Sequence, residues 1–400
     1  MSATPVAGVQ IPATPLMDGL IARTVARRRP LSVHFDLTYR CNERCVHCYL
    51  DHEDHGELNT EEVERVLGEL AAAGTLFLTF SGGEIFLRPD LERILATARR
   101  LHFDISLKTN ALLLTPERAT RLSQLGVRRV QISIYSDDPA VHDAITKVPG
   151  SLRRSLAAIP LLKAAGIQVK LACPLMKQNL SAYRGVMALA EENGATYILD
   201  LTITPMIDGS TGTLEHRVET SALLPVLQDP ALHACGRKPP EADAKASPGR
   251  GAVGSAVSSG MESDAYEDLT CSAGHNSCYI SPYGEVFACV QLPMAGGNIR
   301  QDSFESIWRG DEALARVRAV RESQLPYCSK CEIRGFCERC PGLAWMEGGD
   351  LLGAYERACD LAEHRARIAG VNAESAWHAQ RRIAVTVAED SVNPANVFVG

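Results

Sequence analysis

Residues 36–49 read Asp36-Leu37-Thr38-Tyr39-Arg40-Cys41-Asn42-Glu43-Arg44-Cys45-Val46-His47-Cys48-Tyr49. The cysteines at 41, 45 and 48 form a C-x3-C-x2-C pattern directly after residues 31–37, an apolar run that predicts a strand. Three thiolates can bind three irons of a cubane [4Fe-4S] cluster and leave the fourth iron open to a substrate or cofactor. The spacing therefore predicts an iron–sulfur site on the loop that follows this strand.

Zinc and a disulfide are the alternatives for these cysteines. Zinc sites usually begin C-x2-C or C-x4-C and need four ligands, and His47 as the fourth ligand leaves little room for a tetrahedral cage between Cys45 and Cys48. A disulfide requires an oxidising compartment. No apolar signal-peptide region follows the arginines within residues 1–30. Both arguments favour iron.

The composition excludes several classes of protein. A length of 400 residues suggests two or three domains, and 46% hydrophobic residues allow a core of normal size. A net charge of −7 argues against nucleic acid as the main partner. No apolar run approaches the roughly 20 residues that span a bilayer, so we expect a cytoplasmic protein without a membrane partner. Thirteen cysteines in that reducing compartment indicate metal ligands.

A strand–helix rhythm begins after residue 30. Apolar, β-branched runs lie at 31–37, 75–80, 103–108, 128–134, 167–173 and 196–203, and helical patterns lie at 60–73, 89–101, 115–125, 151–165 and 179–192. Asn59 or Thr60 is the predicted N-cap of the first helix in this series. Six such units predict a parallel sheet with right-handed crossovers, which is fewer than the eight units of a closed barrel.

Ser81-Gly82-Gly83-Glu84 directly follows the second strand. With the C-x3-C-x2-C loop, this segment resembles the radical S-adenosylmethionine (SAM) enzymes. The resemblance implies an α/β fold, a partial (β/α)6 barrel open on one side. It also implies that Cys41, Cys45 and Cys48 are the catalytic cluster ligands, and that Gly82, Gly83 and Glu84 bind the ammonium group of SAM. Glycine permits that close backbone approach.

Further cofactor-binding residues follow from the same resemblance. Asn110 ends the third strand and Ser133 lies in the fourth, where it is implied to contact the ribose or carboxylate of SAM. His47 and Lys147 complete the set, Lys147 pairing with the carboxylate of SAM. The chain departs from the usual motifs at Ala111, Tyr135-Ser136 and Lys147, where Gly, Asp-Gly and Arg are commoner. A solvated loop lysine is the alternative for Lys147.

A second cysteine block lies near the C-terminus: Cys271, Cys278, Cys289, Cys328, Cys331, Cys337, Cys340 and Cys359. Its spacing resembles the SPASM domain of peptide-modifying radical SAM enzymes, with an x2 gap between Cys337 and Cys340 where x3 is usual. The resemblance implies two auxiliary [4Fe-4S] clusters, the first on Cys271, Cys278, Cys289 and Cys340, the second on Cys328, Cys331, Cys337 and Cys359. With the SAM cluster the total is three. A zinc knuckle at 328–340 is the alternative.

The predicted organisation has five parts. They are an N-terminal arm at 1–30, the partial barrel at 31–235, a flexible linker at 236–266, a cysteine-rich SPASM domain at 267–365, and a C-terminal helix and tail at 366–400. The linker prediction rests on a stretch rich in Pro, Gly, Ser and Ala without periodicity.

The resemblance predicts an oxidoreductase similar to the maturases of ribosomally made peptides, pyrroloquinoline quinone peptide cyclase and anaerobic sulfatase-maturating enzymes. A 5'-deoxyadenosyl radical would abstract hydrogen from a precursor peptide and lead to an oxidative cross-link. Expected partners are that peptide, a separate peptide-recognition protein, and an electron donor such as flavodoxin or ferredoxin. The alternatives are modification of a small molecule such as a tetrapyrrole, as in the heme pathway, and a non-catalytic iron–sulfur or zinc protein.

Overall fold

The computed structural model describes residues 15–233 and 268–382. The described chain divides into two compact units, the first of residues 15–219 and 272–319, the second of residues 220–233, 268–271 and 320–382. The linker predicted at 236–266 and the tail after residue 382 lie outside the described residues, so the domain boundaries stay predictions. No helix of the described ranges is long and apolar enough to cross a membrane.

The first unit is built on a parallel sheet of six strands in chain order: β1 (Ser32–Thr38), β2 (Phe77–Gly82), β3 (Asp104–Thr109), β4 (Val127–Ser133), β5 (Gln168–Pro174) and β6 (Thr196–Asp200). Each strand pairs with its successor in parallel. All six strands overlap the runs expected from the sequence. The α/β fold class, a partial (β/α)6 barrel, is therefore confirmed.

Three further strands extend this sheet beyond β1. β7 (Ser277–Ile280) pairs in parallel with β1, in a register that sets His34 beside Tyr279. The hairpin continues antiparallel through β8 (Glu285–Cys289) and β9 (Leu292–Asn298), giving the order β6-β5-β4-β3-β2-β1-β7-β8-β9. The pairing of β7 with β1 joins segments more than 200 residues apart and has no local signal.

Helices cover the outer face of the sheet in the first unit. They are α1 (Pro15–Ala26), α2 (Thr60–Ala73), α3 (Leu91–Arg100), α4 (Pro116–Gln124), α5 (Pro139–Thr146), α6 (Ser151–Ala164) and α7 (Tyr183–Glu192). Asn59 is the N-cap of α2 in a reciprocal capping box with Glu62. The sequence analysis did not predict α5, whose short amphipathic segment lies where a loop was expected.

The two faces of the strands differ in chemistry. Outward side chains such as Val33, Phe35, Leu78 and Phe80 are fully buried beneath the helices. Inward positions alternate with them and are mostly polar, as in the half-buried Lys108. A closed barrel instead fills its interior with layers of branched apolar side chains. The inner face is therefore suited to a polar ligand.

The remaining helices are α8 (Leu224–Leu227), α9 (Pro230–His233), α10 (Phe304–Gly310), α11 (Glu312–Ala319), α12 (Pro341–Gly348) and α13 (Glu356–Ile368). The second unit contains α8, α9, α12 and α13. Its small apolar clusters include cysteines: Cys337 and Cys340 pack against Leu343 and Tyr355. Such a small core gains stability from cross-links such as metal clusters, so the cysteines are well placed to stabilise this unit.

Candidate functional site

The three cysteines of the first motif lie on one loop at the carboxyl end of β1. The Cys48 backbone N–H donates to the Cys45 carbonyl at 3.0 Å, which coils the loop. Backbone N–H groups of Arg44 and Val46 donate to the carbonyls of Thr146 and Ile145 at 3.0 Å, so the end of α5 supports the loop. All three thiols are half-buried, so a bound group can reach them from the accessible side.

The thiols are electrostatically suited to a metal cluster. Burial raises the pKa of Cys41 to about 12, and it also raises the pKa of Cys45 and of Cys48, with nearby Glu43 contributing in each case. A thiolate that is buried near a carboxylate needs a compensating positive charge. Iron supplies that charge when it replaces the thiol protons. Within the described ranges, no three Cys, His, Asp or Glu side chains converge on one ion. A cubane does not require such convergence, because each thiolate binds a different iron.

Gly82 and Gly83 join the end of β2 to this loop. A Cβ atom on Gly82 would lie 2.0 Å from the Thr38 carbonyl oxygen, and one on Gly83 would lie 2.3 Å from the Arg40 carbonyl oxygen. The Gly83 N–H donates to the Thr38 carbonyl at 2.8 Å. Gly82 also has φ of 131°, a backbone conformation that favours glycine. The structure thus shows both glycines close to the backbone that leads into the cysteine loop. Their contact with SAM stays a prediction.

Glu84 lies inside the wall of the site. Its carboxylate accepts hydrogen bonds from the Thr109 hydroxyl at 2.7 Å and from the backbone N–H groups of Asn110 and Phe86 at 2.9 Å. Burial raises its pKa, and these hydrogen bonds oppose that effect. The carboxylate therefore fastens the end of β3 to the end of β2, and its predicted role with SAM remains a prediction.

The other predicted cofactor residues lie at different distances from the loop. The Asn110 side-chain N–H donates to Asn42 Oδ1 at 2.6 Å, which brings the end of β3 against the cysteine loop. His47 has a buried Nδ1 with no hydrogen-bond partner among the described residues. Burial lowers the pKa of His47 to about 4, so its ring is neutral at pH 7. Ser133 ends β4 half-buried, and Lys147 is exposed at the end of α5 in a left-handed conformation.

Tyr135 is a member of this site that the sequence analysis gave no role. Its ring lies edge-on to His47 at 5.0 Å between centroids and 5.3 Å from the His142 ring. Its hydroxyl donates to Cys45 Sγ at 3.7 Å. The only signal in the sequence was the departure at Tyr135-Ser136 from the usual Asp-Gly. An aromatic wall with a polar tip at this position suits a flat ring next to the cluster loop.

A buried hydrogen-bonded group below the loop was also missed. The Tyr279 hydroxyl donates to Asp36 Oδ2 at 2.9 Å and lies 2.6 Å from the Tyr39 hydroxyl. His34 Nε2 lies 3.0 Å from Asp36 Oδ1. Because Tyr39 precedes Cys41 by two residues and Tyr279 follows Cys278, this network ties two cysteine-bearing segments together. Each carboxylate oxygen of Asp36 thus has one partner in this network.

The auxiliary cysteines fall in both units. Cys278 is on β7 and Cys289 ends β8 in the first unit, while the other six lie in the second. Within the second unit, the charges of Cys337, Cys328 and Cys331 act on Cys359, and that of Cys271 acts on Cys340. The two predicted ligand sets themselves stay predictions. Burial raises the pKa of Cys337 to about 11, so these thiols also suit a metal.

An iron analysis tests the three-cluster prediction. Anaerobically reconstituted protein is expected to bind about twelve irons per chain, because eleven cysteines fit three cubanes, one with an open iron. The measurement is iron, sulfide and zinc per chain on the same sample, with zinc offered in parallel as a control. A plateau at about four irons with tightly bound zinc would overturn the two auxiliary clusters in favour of a zinc knuckle.

Comparison with known proteins agrees with the two cysteine motifs. The description of the radical SAM superfamily matches residues 35–190, and that of the SPASM iron–sulfur cluster-binding domain matches residues 271–332. The AdoMet-dependent heme synthase of Methanosarcina barkeri is 30% identical over 348 residues, 83% of this chain and 96% of that protein. The mycofactocin maturase MftC of Mycobacterium tuberculosis is 28% identical over 323 residues, 78% of this chain and 78% of that protein.

A solved structure has the same fold. Streptococcus suis SuiB bound to S-adenosylmethionine superposes with a TM-score of 0.62 at 16% identity, over 81% of this chain and 76% of that one. SuiB bound to the precursor peptide SuiA superposes with a TM-score of 0.60. At this level of identity the likeness concerns the fold alone.

Proposed function

Because the chain belongs to the radical SAM superfamily and carries a SPASM iron–sulfur cluster-binding domain, we propose that it modifies a ribosomally made precursor peptide. The observation that carries the catalytic part is the convergence of the cysteine loop, Gly82–Glu84 and Asn110 at one edge of the sheet. Parallel β/α folds place their active sites at this edge, where the strands end. The family and this edge together support a catalytic site on the cysteine loop.

Each residue at this edge has a proposed task. Cys41, Cys45 and Cys48 hold a [4Fe-4S] cluster, and SAM bound to it supplies a 5'-deoxyadenosyl radical on one-electron reduction. Gly82 and Gly83 keep the backbone close enough to the loop to shape the SAM pocket, and Glu84 fixes β3 beside it. Tyr135 and the neutral His47 form an aromatic wall, and Lys147 meets the carboxylate of SAM. Burial around the loop excludes water from reactive species.

Proteins that match most of the chain support a peptide substrate. The maturase MftC matches 78% of this chain, and the fold superposes on SuiB bound to its precursor peptide. The eight SPASM cysteines would hold two auxiliary clusters, which would supply an electron acceptor for oxidation of the substrate. A flexible peptide loses conformational freedom when it binds. We therefore include a leader segment, a recognition protein and a flavodoxin or ferredoxin donor in the proposal, with a cytoplasmic location.

A tetrapyrrole is the second candidate substrate. The specific observation that favours it is the match to the AdoMet-dependent heme synthase, which spans 96% of that protein at 30% identity. The x2 gap between Cys337 and Cys340 also resembles members of the heme pathway. Both candidate substrates would react at the same edge of the barrel.

Mass spectrometry distinguishes the two. The enzyme is incubated without oxygen with SAM, reductant and either the precursor peptide encoded next to its gene or a porphyrin bearing propionate groups. We expect the peptide to lose about two mass units per event, the mass of two hydrogens removed in a net oxidation. Reactions without SAM are the control. An unchanged peptide together with a modified porphyrin would replace the peptide proposal with the second candidate.

A further inference from the structure

The inner faces of β1 to β5 carry a layer of polar side chains at matching register. Asp36 pairs with Ser81 of β2, and Lys108 of β3 pairs with Gln131 of β4, which pairs with Lys170 of β5. Phe80 pairs with Leu107, so the next positions, Ser81 and Lys108, are neighbours as well. Paired positions on parallel strands point to the same face. The layer thus combines two lysines with a single carboxylate.

Lys108 has no hydrogen-bond or ion-pair partner within the described part of the chain. Among the negative charges that act on Lys108, that of Asp36 has the largest effect. The carboxylate oxygens of Asp36 already contact Tyr279 and His34. Burial lowers the pKa of Lys108, and the charges of Asp36, Cys289 and Asp200 oppose this effect without overcoming it. A half-buried lysine without a counter-ion lacks the pairing that a partly desolvated charge needs. Its ammonium group is therefore available to an anion that enters the barrel.

The position of Lys108 relates it to the catalytic edge. It precedes Asn110 by two residues, and the Asn110 side chain contacts Asn42 of the cysteine loop at 2.6 Å. Two residues of a strand span about 6.6 Å, so Lys108 lies one layer deeper in the barrel than the predicted SAM site. A substrate that presents a C–H bond to that site would extend into this layer.

We propose that Lys108 binds a carboxylate group of the substrate. The proposal rests on the proposed function and specifies the substrate class of that same site. Gln131 and Ser81 stand at neighbouring positions of the layer and offer an amide and a hydroxyl to the second carboxylate oxygen. Asp36 repels a second negative charge, so a singly charged carboxylate fits better than a phosphate dianion. Peptides carry such groups on Asp, Glu and the C-terminus, and tetrapyrroles carry them on their side chains.

A small fluorinated probe tests the site without knowledge of the substrate. The SAM-bound, cluster-loaded enzyme is titrated with 4-fluorobenzoate and with the neutral 4-fluorobenzamide, and binding is followed by ¹⁹F NMR. We expect the benzoate to bind at least about tenfold more tightly than the benzamide, because only the benzoate pairs with a charge. Equal binding of the two compounds, or no binding of the benzoate, would overturn the proposal even if every variant failed to fold.

Variants then assign the binding to Lys108. Lys108→Met keeps the apolar stem and is expected to abolish the preference for benzoate, whereas Lys108→Arg retains it. Lys163→Met removes the same charge from the outer surface of α6, where its ammonium donates to the Asn193 and Gly194 carbonyls, and is the matched control. Iron content should be unchanged in all three, and Lys163→Met should also keep the wild-type rate of SAM cleavage without substrate. A Lys108→Met enzyme that still prefers benzoate would contradict the assignment.

The turnover assay identifies the source of the carboxylate. Peptides with Asp or Glu replaced by Asn or Gln, a C-terminally amidated peptide and a porphyrin methyl ester are compared with their parent compounds. The KM of the parent compound that the enzyme turns over should rise about tenfold in the Lys108→Met variant. The KM of its neutral analogue should not change with this substitution. If neither parent is turned over, the proposed function fails while the probe experiment still decides the role of Lys108. An additive loss from both changes would overturn that role.

Discussion

Replacement of Cys41, Cys45 and Cys48 together by alanine is expected to abolish 5'-deoxyadenosine formation and to leave about eight irons per chain. The reason is that only this loop provides three thiols instead of four, and so leaves one iron open for SAM. The loop is also held to Gly83 and Asn110 at the strand ends. The measurement is chromatography of 5'-deoxyadenosine after reduction with dithionite, beside an iron determination.

Cys173→Ala is the matched control for this experiment. Cys173 is buried in β5, and its thiol donates to the Tyr135 carbonyl at 3.6 Å, outside all three predicted ligand sets. The Cys173→Ala variant should retain about twelve irons per chain and the wild-type rate of SAM cleavage. A triple variant that still cleaves SAM would show that the catalytic cluster lies on other cysteines. Loss of all iron in the triple variant would show instead that the auxiliary clusters depend on this loop.

Gly82→Ala is expected to lower the free energy of unfolding by on the order of 3 kcal/mol or more. The added methyl would stand 2.0 Å from the Thr38 carbonyl oxygen, and rigid backbone on both sides cannot yield as a flexible side chain would. The residue also has φ of 131°, which strains any side chain. Thermal unfolding of the anaerobic protein measures the loss, and iron uptake at the cysteine loop should fall with it.

Gly68→Ala provides the comparison at a different glycine of the same unit. Gly68 is inside α2, and nothing lies within 4 Å of a Cβ atom placed on it. Alanine is the better helix former by about 1 kcal/mol, so this variant should be as stable as the wild type or more stable. Equal melting temperatures for the Gly82→Ala and wild-type proteins would show that the loop relaxes around the methyl group. The contact between β2 and the cysteine loop would then not be essential.

Local patterns in the sequence predicted a large part of this protein. Apolar, β-branched runs alternating with helical patterns located the six parallel strands within a few residues, because such runs are typical of buried strands. Asn59 was among the two expected caps, since its side chain can accept a backbone N–H. The spacing of Cys41, Cys45 and Cys48 indicated the cluster motif because three thiolates on one short loop can bind three irons of one cubane. The family and the fold class could be predicted from these signals.

Only the tertiary structure decided which distant segments meet. The pairing of β7 with β1 brings Tyr279 to Asp36 across more than 200 residues, and no local pattern encodes such a partner. Tyr135 became part of the site because strand register places it beside the cysteine loop. The sequence by itself determined that the chain has iron–sulfur motifs and a strand–helix barrel. That Lys108 is half-buried without an ion-pair partner among the described residues was decided by the tertiary structure, because burial and charge pairing depend on every strand that surrounds it.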